Sequence, residues 1–172
     1  KVPRICFINK MDRVGADFYM SVDTIRERLA ANPLIMQLPI GAESDFIGVI
    51  DLLENKALVW SGEELGAKYR KEDIPEDLKA ETETYRSTLI ETIVEFDDNL
   101  MEKYLEGGDL SIEELQQALR KATIALKVAP VFCVSAFTNR GVQPLLDAVI
   151  DYLPSPLDVP SIQGKDVENL DK

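Results

Sequence analysis

The sequence contains no histidine. That removes histidine general bases, histidine metal ligands and every Ser/His or Cys/His nucleophile pair from its chemistry. Cysteine is almost as scarce. Cys6 and Cys133 each lie in an apolar, strand-like run, so they read as buried, reduced core thiols of a cytoplasmic protein, and they lack the spacing of a zinc site. No apolar stretch approaches the roughly 20 residues of a membrane-spanning helix. The nine glycines nowhere form G-x-x-x-x-G-K-[ST], the loop whose backbone N–H groups cradle phosphates and whose hydroxyl holds magnesium. The nearest stretch, Gly62 to Lys68, has Ala67 where the second glycine is required. Positive charge is also short, with 19 Lys and Arg against 31 Asp and Glu and a net charge of −12. Residues 63–114 hold 17 acidic and 6 basic side chains, or −11 of that total. Such a field repels phosphates and disfavours direct DNA binding. It suits a solvated helical surface or a docking face for a basic protein.

What the chain does have is ordinary globular material, 45% hydrophobic and 29% charged, in 172 residues. Residues 2–8 read as a strand buried on both faces. A helix follows from about Asp17, with Phe18, Val22, Ile25 and Leu29 on one face, and it stops at Asn32-Pro33. Leu34 to Ile40 reads as a single strand. Phe46–Leu53 and Lys56–Trp60 read as a hairpin turning at Glu54-Asn55. The acidic middle is helical, with Pro75 suited to a first helical position. Ser111 and Glu114 have the spacing of a capping box. A strand at 130–134 leads to a last helix whose Val142, Leu145, Leu146, Val149, Ile150 and Leu153 form one apolar stripe. Strand and helix alternate at both ends around a block of another kind. The expected fold is α/β: a partial sheet flanked by helices, with an inserted α+β subdomain at about 43–128 between segments 1–42 and 129–153, and a linker at 154–172. The opening at Lys1, on the edge of a strand and without a signal peptide, reads as a cut within a longer protein.

Two strand ends carry the chemistry. Ile5-Cys6-Phe7-Ile8 runs into Asn9-Lys10-Met11-Asp12, and Val131-Phe132-Cys133-Val134 runs into Ser135-Ala136-Phe137. In open α/β sheets ligands bind beyond the carboxyl ends of the strands, so the two loops meet if their strands are neighbours. A carboxylate accepts two parallel hydrogen bonds, so Asp12 can take the N1 and N2 donors of guanine at once. Adenine offers no such pair, and the stranded carboxylate costs several kcal/mol. Asn9 can donate to N7 and tie the loops together, and the Lys10 stem can lie along base and ribose. The N–H groups of Ser135 and Ala136 can donate to O6, and the Ser135 hydroxyl can brace the Asp12 loop. A site that reads the base without holding the phosphates is expected to bind weakly, with a Kd of ~1 mM or above.

Asn9-Lys10-Met11-Asp12-Arg13-Val14-Gly15-Ala16-Asp17-Phe18 resembles the guanine-recognition segment of bacterial-type elongation factor G, the translational GTPase family that drives ribosomal translocation. Gln37-Leu38-Pro39-Ile40-Gly41-Ala42-Glu43, Gly48-Val49-Ile50-Asp51-Leu52, Glu72-Asp73-Ile74-Pro75 and Leu146 through Pro156 fit the same family. The resemblance implies a P-loop GTPase fold, of which this chain is the second half with an inserted subdomain. It also implies GTP or GDP as ligand, with Asn9, Lys10, Asp12, Ser135, Ala136 and Phe137 as the guanine-binding residues. The magnesium ligands, the phosphate loop and the histidine motif that assists hydrolysis lie in family segments this sequence lacks, so no catalytic or metal residue is expected. The implied partners are the ribosome and, through the acidic insert, its stalk protein. Thr138 and Arg140, where many relatives carry lysine, are expected to change surface charge only. The alternatives are a related ribosome-associated GTPase, of ribosome-protection or release-factor type, and a non-catalytic interaction domain.

Overall fold

The apolar run from Leu34 to Ile40, expected as one strand, is two strands in two different sheets. The computed structural model describes residues 2–61 and 68–158. Most of the Gly62–Lys68 stretch and residues 159–172 of the expected linker therefore lie outside the described residues. In chain order the elements are β1 (Cys6–Ile8), α1 (Phe18–Leu29), β2 (Pro33–Ile35), β3 (Gln37–Ile40), β4 (Gly48–Asp51), β5 (Lys56–Val59), β6 (Arg70–Glu72), α2 (Lys79–Val94), α3 (Asp98–Leu105), α4 (Ile112–Ile124), β7 (Ala129–Cys133) and α5 (Val142–Tyr152).

Met36 passes the chain from one sheet to the other. Its N–H donates to the Val131 carbonyl at 3.0 Å, continuing the β2–β7 ladder, and its own carbonyl accepts from Leu52 at 3.1 Å. On one side lies a parallel sheet of order β1-β7-β2, and on the other an antiparallel sheet of order β3-β4-β5-β6. An apolar run signals burial but not the ladder its backbone joins, so periodicity alone hides this switch.

The parallel sheet has its central strand, β7, buried at every position. That suits its uninterrupted apolar run, whereas the edge strand β1, expected to be buried on both faces, is only partly covered, with Phe7 50% exposed. In the antiparallel sheet, β4 and β5 form the expected hairpin, with Asn55 in left-handed backbone at φ 55 and Asp51 Oδ1 accepting from the N–H groups of Leu53 and Glu54. Its outer strand β6 is Arg-Lys-Glu, exposed at every position. Charge on an edge strand discourages further pairing, and it also hid this strand from an apolar-pattern reading.

The helices pack as their caps and apolar faces direct. Asp17 caps α1, Asp97 caps α3, and Ser111 with Glu114 completes a capping box on α4. Pro75 precedes a 3₁₀ turn at Glu76–Leu78 that leads into α2. The Arg86 guanidinium on α2 donates to the carbonyls of Leu52 and Leu53, fastening the helix to the hairpin turn. One continuous core links Phe18 and Val22, Trp60 and Ile50, Leu89 and Ile93, and Leu115, Leu119 and Val131.

Two expected helix faces differ. Leu29 at the end of α1 is exposed, since α1 buries only Phe18 and Val22 fully. On α5 the buried line is Ala148 and Tyr152, with Leu145 partly covered, while Leu146 and Ile150 are 58% and 76% exposed. The apolar stripe is wider than the contact it makes: Gln143, Asp147 and Asp151 mark the polar face, and only the side facing α4 meets other described elements in a sustained contact.

Candidate functional site

β1 and β7 are parallel neighbours, with Ile8 opposite Cys133, so the two motif-bearing loops leave the sheet side by side at its carboxyl end. The ladder runs on into the loops: Val134 donates to the Ile8 carbonyl at 2.9 Å, and Met11 donates to the Val134 carbonyl at 3.2 Å. Met11, the one apolar residue of the tetrapeptide, is a core residue at 1% exposure. Its burial sinks the centre of the loop and leaves Asn9, Lys10 and Asp12 at the rim. Lys10 adopts φ 68 and Gly15 φ 82, which turn the loop back towards α1.

Side-chain hydrogen bonds lock the loops together. Ser135, fully buried, donates its hydroxyl to Asp12 Oδ1 at 2.7 Å. Asn9 Oδ1 accepts from Ala136 N–H at 3.1 Å and from Lys10 N–H at 2.7 Å. Both partners of that oxygen are donors, which fixes the amide orientation and leaves Asn9 Nδ2 directed away from them. Among the described residues Asp12 Oδ2 accepts from no protein donor. A ligand edge with two adjacent N–H groups fits the carboxylate, and one further acceptor fits the Asn9 amide. Lys10 is exposed, and Phe137 projects from the second loop at 93% exposure.

The backbone donors expected for O6 have partners in this structure. Ser135 N–H donates to the Arg140 carbonyl at 2.9 Å, and Arg140 N–H returns to the Ser135 carbonyl at 3.0 Å, closing the loop as a small antiparallel bridge. Among the described residues, Ala136 N–H donates to the Asn9 side chain alone.

Several residues that hold the site escaped the motif reading. Thr138 donates its hydroxyl to Ser135 Oγ at 2.7 Å, and its N–H points to the same oxygen at 3.3 Å. With Ser135 Oγ filled by these donors, its single proton goes to Asp12. Thr138 thus acts on Asp12 through Ser135, beyond the change of surface charge expected of it. The Arg140 guanidinium, also expected to alter charge alone, donates to the Phe46 carbonyl. Gly141 (φ 82) is required where the loop returns: a Cβ there would sit 2.7 Å from the Cys133 carbonyl. The Met11 signal was in the sequence, as one apolar residue among polar neighbours. Thr138 and Arg140 carried none.

Burial raises the pKa of both thiols above its ordinary value, partly offset at Cys6 by Arg4. Both therefore stay protonated at neutral pH. A hollow of 220 Å³ lies between the first loop and the start of α1, lined by Asn9, Arg13, Asp17 and Met20. A larger one of 460 Å³, between Val2, Leu29 and Leu126, opens at the amino ends of the strands, the wrong end for a ligand in such a sheet.

Residues 1–155 match the family of elongation factor Tu GTP binding domains. Elongation factor G 1 of Bdellovibrio bacteriovorus is 59% identical over 172 residues, covering 100% of this chain and 24% of that protein. A crystal structure of a protein from Thermus thermophilus superposes with a TM-score of 0.78 at 32% identity, covering 91% of this chain and 23% of the other. The chain spans about a quarter of the length of the relatives it matches.

Proposed function

The chain belongs to the elongation factor Tu GTP-binding domain family, and from that premise we propose that it is the guanine-reading portion of a translational GTPase of the elongation factor G type. The observation that carries the reading is the pair of cross-loop hydrogen bonds, Ser135 to Asp12 and Ala136 to Asn9. They support the reading by holding a carboxylate and an amide together at adjacent strand ends. Asp12 accepts from N1–H and N2–H, with Oδ1 using its second lone pair beside the Ser135 bond. Asn9 Nδ2 donates to N7. The Lys10 stem and the Phe137 ring, both exposed, supply flat apolar surface along the base. Ala136 N–H shares its hydrogen bond between Asn9 and O6.

Phosphate and magnesium chemistry lies with sequence this chain does not carry, since it has no G-x-x-x-x-G-K-[ST]. Its part in GTP hydrolysis and translocation is to select the base. Residues 43–128 form the inserted subdomain between the two GTPase segments, 1–42 and 129–153, and 154–172 is the linker that follows. The acidic surface of the insert docks the stalk protein of the ribosome in the cytoplasm.

Titrating GDP and ADP into the chain, followed by amide NMR, tests the base reading. GDP is expected to shift Asp12, Ser135 and Ala136 at millimolar concentration, with ADP leaving them in place. Equal shifts from both nucleotides would remove the reading. The docking surface is tested by titrating stalk-protein C-terminal domain at low and high salt: an electrostatic interface weakens as the Debye length shrinks from about 30 Å to 8 Å.

A further inference from the structure

Among the described residues six non-glycine positions adopt left-handed backbone. Ala30 closes α1, Leu126 follows α4 and Asn55 turns the hairpin, all ordinary uses of that conformation. The other three, Lys10 (φ 68), Glu43 (φ 53) and Asn139 (φ 56), gather at the two base loops. Glu43 is the unexpected member. It belongs to neither motif and sits in a 3₁₀ turn, Glu43–Asp45, between the two strands that begin the antiparallel sheet. A residue held in strained backbone must be over-determined by its surroundings, and at Glu43 those surroundings are the first base loop.

The backbone N–H of Glu43 donates to the Met11 carbonyl at 2.9 Å, and its carboxylate Oε1 accepts from Gly15 N–H at 2.7 Å. Met11 is thereby fixed on both sides, by Val134 through its N–H and by Glu43 through its carbonyl. Asp12 is the next residue. From the second loop, the Arg140 guanidinium reaches the Phe46 carbonyl, three residues past Glu43. The turn is tight: at Gly41 (φ 77) a Cβ would fall 1.9 Å from the Asp45 carbonyl. The same segment begins the antiparallel sheet: Ile47 donates to the Ile40 carbonyl at 3.0 Å, and Trp60 donates to the Ile47 carbonyl at 3.0 Å.

We infer that Glu43 is a positioning residue for base recognition, and that segment 43–46 transmits base binding to the antiparallel sheet. The inference rests on the guanine reading. Glu43 touches no base. It sets the depth and tilt of the 9–15 loop so that Asp12 and Asn9 meet one ligand edge together, while Arg140 ties the opposite loop to the same turn. A base that draws Asp12 and Ala136 inward pulls on Met11 and Arg140, and so on the Ile47–Trp60 corner.

The test is an NMR titration of the whole 172-residue chain with GDP and with ADP, for the wild type, Glu43→Gln and Glu43→Gly. Glutamine keeps an acceptor oxygen for Gly15. Glycine removes the carboxylate and relieves the left-handed strain, so loss of folding does not mask the result. The expected outcome is GDP affinity within about twofold of wild type for E43Q and about tenfold weaker for E43G, the loss that goes with one hydrogen bond. The Ile47 amide and the indole of Trp60, the only tryptophan, are expected to follow GDP in the wild type and E43Q but not in E43G. Wild-type affinity in E43G, or equal loss in E43Q and E43G, overturns the positioning role. A wild-type Ile47 amide unmoved by GDP overturns the transmission. A wild type that binds GDP and ADP alike overturns the guanine reading itself, and is told apart because it needs no variant.

Discussion

The carboxyl end of the parallel sheet and the surface of the antiparallel, helical block both hold many polar groups, by different means. At the sheet end, the polar atoms of Asn9, Asp12, Ser135 and Thr138 are tied by short hydrogen bonds between loops more than 120 residues apart, over a strand buried at every position. In the block between, charge is handled by ion pairs in water. Of those among the described residues, only Arg26–Asp23 lies wholly outside residues 43–128. Hydrogen bonds anchored on a buried group such as Ser135 are directional and costly to lose, whereas exposed ion pairs contribute little and are screened by salt. The first arrangement suits a site that discriminates one base from another. The second suits a surface that attracts a charged partner without a fixed geometry.

The comparison breaks most visibly at β7. Phe132→Ala, in the buried central strand, is expected to lower stability by about 3–5 kcal/mol in urea unfolding and to remove any GDP response, because both loops hang from the β1–β7 pair. A loss below about 1 kcal/mol would mean that the parallel sheet is not the rigid half. Ser135→Ala comes next. It leaves Asp12 Oδ1 without its donor and two Thr138 donors without their acceptor, a loss of about 1–3 kcal/mol, accompanied by amide shifts in the 9–15 loop.

On the other side the expected effects shrink. Ser111→Ala removes half of the α4 capping box and is expected to cost about 1 kcal/mol. Lys121→Ala removes the exposed partner of Asp97 and is expected to cost under about 1 kcal/mol, less still at high salt. Urea midpoints of both variants at two salt concentrations check this ordering.

Acid sharpens the contrast. The Lys121 ammonium holds the Asp97 carboxyl below its usual range, and Lys103 with the Ser111 N–H does the same for Glu114. A depressed folded pKa gives stability that is full above the unfolded value, about 4, and is lost as pH falls through the lower folded value. These two groups therefore stabilise the helical block down to about pH 4–5 and fade below it. Asp51 runs the other way: burial raises its pKa, so its unfavourable contribution is relieved as pH falls. Urea midpoints from about pH 7 to about pH 3 are expected to fall with acid, and less steeply in K121A than in wild type.

Much of this was legible in sequence, and the exceptions have physical reasons. The two strand ends, the capping box and the hairpin could be read because apolar period, cap chemistry and turn residues are local signals. The division at Met36 could not, because it depends on which ladder accepts a backbone N–H, and an apolar run is silent on that. β6 was hidden by its own charge. The exposed strip on α5 was hidden because a wide apolar stripe does not say which part of it is covered. At the site, the motif residues and their neighbouring strands were readable, while Glu43 and Arg140 were not. Their partners are backbone groups at positions set only by the tertiary fold.

The most direct test exchanges one oxygen for nitrogen at Asp12. Asn in its place offers one acceptor and one donor, which no longer suits the two donors of guanine but suits xanthine, whose N1–H stands beside a carbonyl. In amide-shift titrations the wild-type chain is expected to prefer GDP over both ADP and xanthosine diphosphate, and Asp12→Asn is expected to prefer xanthosine diphosphate over GDP. An unchanged order of preference in D12N would contradict the claim that this carboxylate reads the base.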